Sequence, residues 1–151
     1  MLDLCPRAGS TLPMTGPRIY ERHEVDEMIP RLEEILLRLD AHRDQLQTLK
    51  IRVNALEMIW GEKIREKSCS DHGEFTNHME EMEKVQGFFK RRADEIADLG
   101  GQVKGLEPPL IDFYGVQEGH LVFWCWTRGE TSVDHWHHLD EGFAERHPVA
   151  E

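Results

Sequence analysis

Cysteine is scarce in this sequence, and long apolar runs are missing from it. The 151 residues include three cysteines, Cys5, Cys69 and Cys125, which lie far apart and form no Cys-x-x-Cys pair. An odd number of widely spaced cysteines argues against a disulfide framework and a zinc ribbon, and it indicates a reducing cytoplasm. Because a membrane-spanning helix needs about 18 consecutive apolar residues and no stretch comes near this length, we expect no membrane-embedded segment.

Basic residues are few relative to acidic ones. The chain has 18 Lys and Arg residues against 29 Asp and Glu residues, which gives a formal net charge of −11. A surface with this charge repels nucleic-acid phosphates and anionic lipids, so neither nucleic acid nor a membrane is an expected partner. The charged fraction of 31% suits long exposed helices better than a compact globule.

The N-terminal segment carries no pattern of a folded element. Residues 1–18 lack the basic and apolar regions of a secretory signal, and they contain three prolines and two glycines. We therefore expect residues 1–18 to be disordered. The remaining residues, 19–151, have the length of one domain and are predicted to form one.

A heptad pattern predicts a first long helix. Between Val25 and Trp60, ten of the eleven positions spaced alternately by three and four residues are apolar. This mean spacing of 3.5 is typical of a coiled-coil helix. The predicted helix covers residues 24–67, and at ~1.5 Å per residue it is roughly 60 Å long.

A second helix is predicted over residues 71–99. Asp71 and Glu74 have the spacing of a capping box, and Gly100 follows as a left-handed C-cap. Two helices joined by a short link form an antiparallel hairpin, with its turn near Cys69. The second helix is the shorter one, so the first turns of helix one have no partner within the hairpin. The C-terminal part of the chain and a second copy of the chain are both candidates to cover them. The second candidate, together with the exposed edges of the small sheet predicted after the hairpin, predicts a homodimer.

Alternating apolar residues predict a small sheet after the hairpin. Short β-prone segments occur at residues 110–113, 120–127 and 132–137. They predict a three-stranded antiparallel meander over residues 110–137, followed by a C-terminal segment at residues 138–151. The predicted fold class is therefore α+β, a long antiparallel helical hairpin followed by the meander. Cys125 lies within the middle strand and is predicted to be an unreactive core thiol.

Six segments together resemble an uncharacterised bacterial family, the domain of unknown function 2203. They are LEMIWGE (56–62), DHGEF (71–75), LGGQVKGLEPPLIDF (99–113), VFWCW (122–126), RGE (128–130) and WHHLDEGFAERHP (136–148). The resemblance spans residues 20–148 and is most specific in the C-terminal half. It implies a fold and a set of favoured positions, and it implies no activity. The chain departs from the family at Pro109, usually glycine, and at Tyr114, often proline, so the turn before the first strand is expected to differ.

Several polar residues coincide with the family pattern and come from different predicted loops and strands. They are Lys104, Asp112, Glu130, His137 and Arg146. If they converge at one end of the sheet, they form a ligand-binding cluster for a small anion, with Lys104 and Arg146 as its charge partners. The alternative is a structural network that pairs Asp112 with Arg146 and Glu130 with Lys104.

The segment at residues 133–148 contains four histidines, which raises the question of a metal site. His135 and His137 lie two residues apart on a strand, so both project from one face. Together with Asp112 and Glu130 they are candidate ligands for a divalent metal. In the alternative, His137 forms a hydrogen bond with a backbone carbonyl or with Asp112 and has a structural role. No cofactor is expected apart from this candidate metal.

These patterns predict a function only at the level of class. The first hypothesis is a cytoplasmic, oligomeric interaction or scaffold protein, with the helical hairpin as the surface for a protein partner. The second hypothesis is a small metal-dependent enzyme or small-anion-binding protein with a His/carboxylate cluster at the end of the meander. No residue is assigned a catalytic role.

Overall fold

A computed structural model describes residues 18–150 as two long helices followed by a five-stranded antiparallel sheet. Helix α1 spans Arg22–Trp60 and helix α2 spans His72–Asp98, with a 3₁₀ turn at Gly61–Arg65 between them. The architecture is of the predicted α+β class, in which a long helix and a second helix precede the sheet.

Two expectations concern the disorder of the N-terminal segment and the lack of a membrane-spanning helix; the first falls outside the described residues, and the second agrees with them. The predicted disorder of residues 1–18 lies outside the described residues, apart from Arg18. Within residues 18–150, the apolar stretches of the helices are too short and too charged for any of them to span a bilayer.

Helix α1 ends earlier than the heptad pattern predicts. The predicted helix extends to Lys67, but α1 stops at Trp60. The next residue, Gly61, has φ 60° and ψ −141°, a backbone conformation that glycine adopts without a steric penalty from Cβ. The chain then continues as the 3₁₀ turn, in which Ile64 is fully buried in an apolar cluster with Phe75 of α2.

The two helices pack antiparallel, with a register different from the predicted one. The imidazole of His42 lies 5.6 Å from the ring of Phe88, measured between centroids. At the closed end of the hairpin, Trp60 donates a hydrogen bond from Nε1 to Oδ2 of Asp71 at 2.8 Å. A turn near Cys69 predicts from the sequence that His42 lies near Ile96 and that Trp60 meets His78, both of which are further along α2 than the observed partners. The difference arises because α1 stops at Trp60, which brings the turn nearer to the N-terminus of the chain.

The sheet has five strands in sequence order. They are β1 (Gln102–Leu106), β2 (Pro109–Gln117), β3 (His120–Thr127), β4 (His135–His138) and β5 (His147–Pro148), each antiparallel to the next. The prediction of a three-stranded meander over residues 110–137 is therefore wrong in strand number, since it contains β2 to β4 and misses β1 and β5.

The two missed strands have weak sequence patterns for physical reasons. Strand β1 carries a glycine, precedes two prolines and has no buried side chain, so it lacks the alternation that marks a half-buried strand. Strand β5 has two residues, within the segment that was predicted only as a C-terminal segment. Strand β4 begins later than predicted, at His135, because the backbone N–H of Val133 is taken by Asp26 of α1 at 2.7 Å.

One face of the sheet packs against the start of α1. Val25 and Leu32 are fully buried in a core that includes Phe113 and Trp126 of the sheet. In addition, Trp124 donates from Nε1 to the backbone carbonyl of Tyr20 at 2.9 Å. The apolar first turns of α1 are thus covered by the sheet of the same chain. Of the two candidates to cover these turns, the C-terminal part of the chain is therefore the correct one, and the argument for a homodimer from an uncovered apolar stripe is wrong. Dimerisation itself stays a prediction.

Candidate metal centre

The register of the sheet brings three polar side chains to the face that points away from the helices. Asp112 on β2 pairs with Cys125 on β3, and Phe123 on β3 pairs with His137 on β4. Because side chains alternate along a strand, these residues point opposite to the core residues Phe113 and Trp124 and their neighbours. We call this side of the sheet the outer face.

The outer face is closed to solvent where these side chains meet. Asp112 and His137 are each 2% exposed, and among the described residues they are the two buried residues of the polar or charged types, apart from the weakly polar Cys and Tyr. Cys125 between them is 1% exposed. Burial of an ionisable side chain costs free energy unless it has a charged or hydrogen-bonded partner.

Hydrogen bonds fix the imidazole of His137 at both nitrogens. Its Nδ1 lies 2.8 Å from the backbone carbonyl oxygen of His138, and its Nε2 lies 2.9 Å from Oδ2 of Asp112. A carbonyl oxygen only accepts hydrogen bonds, so Nδ1 carries a hydrogen and donates it. One proton therefore lies between Nε2 and the carboxyl group of Asp112, either on the imidazolium or on the carboxylic acid. The imidazole edge that faces the outer-face cluster is Nε2.

Cys125 is a poor nucleophile in this environment. Burial raises the pKa of the Cys125 thiol to about 12, and the negative charge of the neighbouring Asp112 adds to the shift. The thiol is therefore protonated at neutral pH, and a thiol reacts as the thiolate. The predicted burial of Cys125 is confirmed, but its surroundings are polar as well as apolar.

The three side chains could together hold a metal ion. The candidate ligand atoms of Asp112, Cys125 and His137 all lie within 4.8 Å of one another. They offer one oxygen, one sulfur and one nitrogen, the donor types that zinc binds in proteins. Oδ1 of Asp112 is buried and has no hydrogen-bond partner among the described residues. A buried polar atom without a partner is uncommon and calls for an explanation such as an ion or a water molecule.

Lys104 covers the solvent side of this cluster. Its Nζ lies 3.9 Å from Oδ2 of Asp112 and 4.4 Å from the ring centroid of Phe123. The side chain is 42% exposed, whereas that of Asp112 is 3% exposed. The ammonium group of Lys104 therefore lies between the buried carboxyl group and solvent. Of the two basic residues that were predicted for the site, Lys104 and Arg146, Lys104 is the one that a dissolved anion can reach.

Glu130 and Arg146 form a separate pair beside the cluster. Nη2 of Arg146 donates to both carboxylate oxygens of Glu130, at 2.8 and 2.9 Å, and to the backbone carbonyl of Cys125 at 3.2 Å. Glu130 also accepts a hydrogen bond from the backbone N–H of Thr127 at 2.9 Å. The imidazole Nδ1 of His135 lies 3.5 Å from Glu130. These contacts tie the loop after β3 to the C-terminal segment.

The structure divides the predicted site residues into two groups. Lys104, Asp112 and His137 lie together, and Glu130 and Arg146 contact each other. The two predicted ion pairs are wrong, because Asp112 contacts Lys104 and Glu130 contacts Arg146, so the partners are exchanged. Whether either group binds a ligand stays a prediction.

The predicted metal ligands are also divided. His137 and Asp112 contact each other, as do His135 and Glu130, so the two histidines do not converge on one point. The third ligand type beside His137 and Asp112 is the thiol of Cys125. Sequence reasoning missed Cys125 as a member of this cluster.

A signal for Cys125 is nevertheless present in the sequence. Glu118 and Gly119 have φ of 52° and 80°, which makes a two-residue turn of the kind that joins β-hairpin strands. Once this turn is placed between Gln117 and His120, counting back along both strands sets Cys125 opposite Asp112. The hairpin register therefore predicts the contact between the two residues.

Comparison with known proteins gives a family and a curated relative. The family model described as "Uncharacterized conserved protein (DUF2203)" matches residues 18–149. A curated protein, the cGMP-dependent protein kinase egl-4 of Caenorhabditis elegans, is 31% identical over 97 residues, which are 62% of this chain and 10% of that protein. The chain thus spans about a tenth of the length of this relative. No solved structure matches the chain.

Proposed function

The chain belongs to the family of uncharacterized conserved proteins DUF2203, and we propose that it is a metal-binding protein that holds a divalent cation between Asp112, Cys125 and His137. The observation that carries this proposal is the convergence of three different ligand types whose ligand atoms lie within 4.8 Å of one another on one buried patch. Hydrophobic burial alone does not account for such a set, because polar groups are costly inside a protein.

The geometry around the ligands suits zinc. Three protein ligands leave one coordination position open, the arrangement of catalytic rather than structural zinc sites. His137 donates from Nδ1 to a backbone carbonyl, as metal-bound histidines commonly do, and this hydrogen bond directs Nε2 towards the other two ligands. Oδ1 of Asp112 has no other partner among the described residues and is free to coordinate.

Metal binding would change the protonation of the cluster. The cation would replace the proton between His137 and Asp112, and the thiol of Cys125 would lose its proton on coordination. Metal binding to such ligands therefore releases protons and is favoured at higher pH. No proton from Lys104 is involved, because that side chain is not a ligand.

Lys104 indicates the class of substrate. Its ammonium group lies at the solvent edge of the centre, 3.9 Å from Asp112, and its side chain is the exposed member of the cluster. A positive charge beside an open coordination position favours a small anion, which would bind the metal and the lysine together. We propose a small anionic substrate, polarised by the metal, for this site.

The test is elemental analysis of full-length protein purified without a histidine tag. We expect about one zinc per chain, and in Asp112→Asn, Cys125→Ser and His137→Gln less than roughly a tenth of this amount. His135→Gln is the matched control, since this histidine lies on the same face of β4 but contacts Glu130. Metal-free wild-type protein that also fails to bind added zinc would contradict the proposal.

A second candidate function, an interaction or scaffold role, rests on the exposed side of α1. Leu37, Ile51 and Met58 are 63%, 61% and 87% exposed and are separated by multiples of seven residues, so they form one row along the helix. We propose that this row contacts a second copy of the chain. Ile51→Glu should then lower the mass measured by light scattering, and a wild-type protein that is monomeric at all concentrations would contradict the dimer.

A cytoplasmic location, supported by the free thiols of Cys69 and Cys125, and a bacterial origin remain predictions.

A further inference from the structure

A second group of metal-ligand side chains lies next to the outer-face cluster. The candidate ligand atoms of His138, Glu141 and His147 lie within 4.8 Å of one another. His138 follows His137 on β4, so the two side chains point to opposite sides of the strand. The second group is therefore separated from the first by the backbone of β4.

The carboxylate of this group is held in place by the main chain. Oε1 of Glu141 accepts a hydrogen bond from the backbone N–H of His138 at 2.9 Å and lies 3.1 Å from Nε2 of His147. The backbone N–H of Glu141 in turn donates to the carbonyl oxygen of His138 at 3.1 Å. Because these hydrogen bonds close a turn, the side chain of Glu141 is already ordered before a cation binds.

Both imidazoles of the second group pack against the indole ring of Trp136. Its centroid lies 5.0 Å from that of His138, in an edge-to-face arrangement, and 4.6 Å from that of His147. Strand β5 pairs His147 directly with Trp136, which fixes the backbone of the second histidine. The imidazole centroids are 5.7 Å apart. Packing against the indole thus restricts both candidate ligands before any metal is present.

We propose that His138, Glu141 and His147 form a second divalent-cation site, distinct from the centre at Asp112, Cys125 and His137. Two imidazoles and one carboxylate favour zinc, nickel or cobalt over calcium and magnesium, which prefer oxygen ligands. Three protein ligands leave coordination positions open to solvent, since His138 is exposed and the other two are half-buried.

The two sites should differ in their chemistry and in how fast they exchange metal. The second site has no sulfur ligand, and it is open to solvent, whereas the ligands of the first site are at most 2% exposed. A chelator should therefore remove metal from the second site first. This difference allows each site to be measured in the presence of the other.

The experiment uses full-length, tag-free protein and Ni²⁺ as the probe, with tryptophan fluorescence as the readout. Nickel at the second site lies next to the indole of Trp136 and should quench its emission. We expect His147→Gln and Glu141→Gln to raise the nickel concentration for half-maximal quenching by about tenfold or more. Cys125→Ser and the matched control His135→Gln should leave it unchanged.

Zinc stoichiometry separates this inference from the first proposal. With zinc added in excess, wild-type protein should bind two zinc ions per chain: the one that it retains on purification at the first centre, and a second that the open site does not retain. Under the same conditions His147→Gln and Cys125→Ser should each bind one. Far-UV circular dichroism without metal verifies that the variants are folded. Quenching that persists unchanged in both His147→Gln and Glu141→Gln would overturn the second site, as would quenching that saturates only above about 1 mM nickel. If Cys125→Ser binds no zinc and His147→Gln binds as much zinc as the wild type, the first centre is the sole site.

Discussion

The two faces of the sheet use buried side chains in different ways. On the face towards α1, the buried residues are apolar, and they fill a common core with Val25 and Leu32. On the outer face, the buried residues include Asp112 and His137 as an ionisable pair. The first face explains why the chain folds. The second face carries ionisable groups whose burial costs free energy unless they are paired, and we propose that these groups bind a metal ion.

Strand β3 belongs to both faces and separates them. Trp124 and Trp126 point to the helices, while Phe123 and Cys125 point outward. Because side chains alternate between the two faces of a sheet, one strand contributes to the core on one face and to the outer-face cluster on the other. The following predictions test whether the two faces differ as described.

The largest expected effect concerns the closure of the outer face around Cys125. Because burial raises the pKa of this thiol to about 12, the thiolate fraction at pH 8 is on the order of 10⁻⁴. In metal-free protein, prepared with a chelator, iodoacetamide should therefore modify Cys125 roughly a thousandfold more slowly in the native state than in urea. Peptide mass spectrometry after timed alkylation measures both rates. Cys69, which is half-buried, is the internal control and should react in native protein. Equal rates at the two cysteines would mean that the outer face is open.

Removal of core volume on the helix face should have the largest effect on stability. Leu32 is fully buried, so Leu32→Ala should lower the free energy of unfolding by about 3 kcal/mol, measured by urea denaturation. The matched control is Ile59→Ala on the same helix, at a position that is 70% exposed and outside the row of Leu37, Ile51 and Met58, with an expected change within about 0.5 kcal/mol. Similar losses at both positions would contradict the packing of α1 on the sheet. Leu32 therefore reports on folding and is unsuitable as a probe of dimerisation.

Loss of the buried ionisable pair should have an intermediate effect. Asp112→Asn keeps the shape of the side chain but removes the charged partner of His137, and it should cost about 2 kcal/mol in metal-free protein. Glu107→Gln is the control, because Glu107 forms an ion pair of similar length, 2.8 Å, with Arg43 but is 78% exposed. It should cost less than about 1 kcal/mol. If Asp112→Asn and His137→Gln are additive in the double variant, the two side chains do not interact as described.

The smallest effect on stability is expected for Lys104. Its side chain is 42% exposed, so Lys104→Ala should change the free energy of unfolding by no more than about 0.5 kcal/mol. The same substitution should weaken phosphate binding to zinc-loaded protein by roughly tenfold, measured by isothermal titration calorimetry. Lys104→Arg should restore most of the affinity because it retains the charge. Unchanged phosphate affinity in Lys104→Ala would remove the lysine from the substrate site.

The sequence was sufficient to predict the elements with strong periodicity. The heptad pattern from Val25 to Trp60 identified α1, and the alternation at residues 120–127 identified β3. The apolar heptad pattern ends at Trp60, as α1 does, but the helix was predicted to continue to Lys67. A single glycine within a helical pattern is not by itself a stop signal, and the backbone conformation of Gly61 ends the helix. Strand β1 was missed because its side chains are not buried and therefore leave no apolar pattern.

The candidate site was predicted as a set of residues but not as a geometry. Lys104, Asp112 and His137 were identified, but the partner of each charged side chain depends on strand register and on the path of the C-terminal segment. Arg146 reaches Glu130 because β5 pairs with β4, and β5 has too few residues to be recognised from the sequence. Cys125 was predicted to be a core residue because its neighbours along the strand are apolar, whereas its neighbours across the sheet are polar.

Cobalt titration of full-length, tag-free protein tests the central proposal most directly, because a cysteine thiolate bound to Co²⁺ absorbs in the near ultraviolet. The account predicts that this absorption develops until about one Co²⁺ per chain is bound and that it is absent in Cys125→Ser and in His137→Gln, while His135→Gln behaves as the wild type. A wild-type protein that binds Co²⁺ without this absorption, or a Cys125→Ser variant that retains it, would show that Asp112, Cys125 and His137 do not form a metal centre.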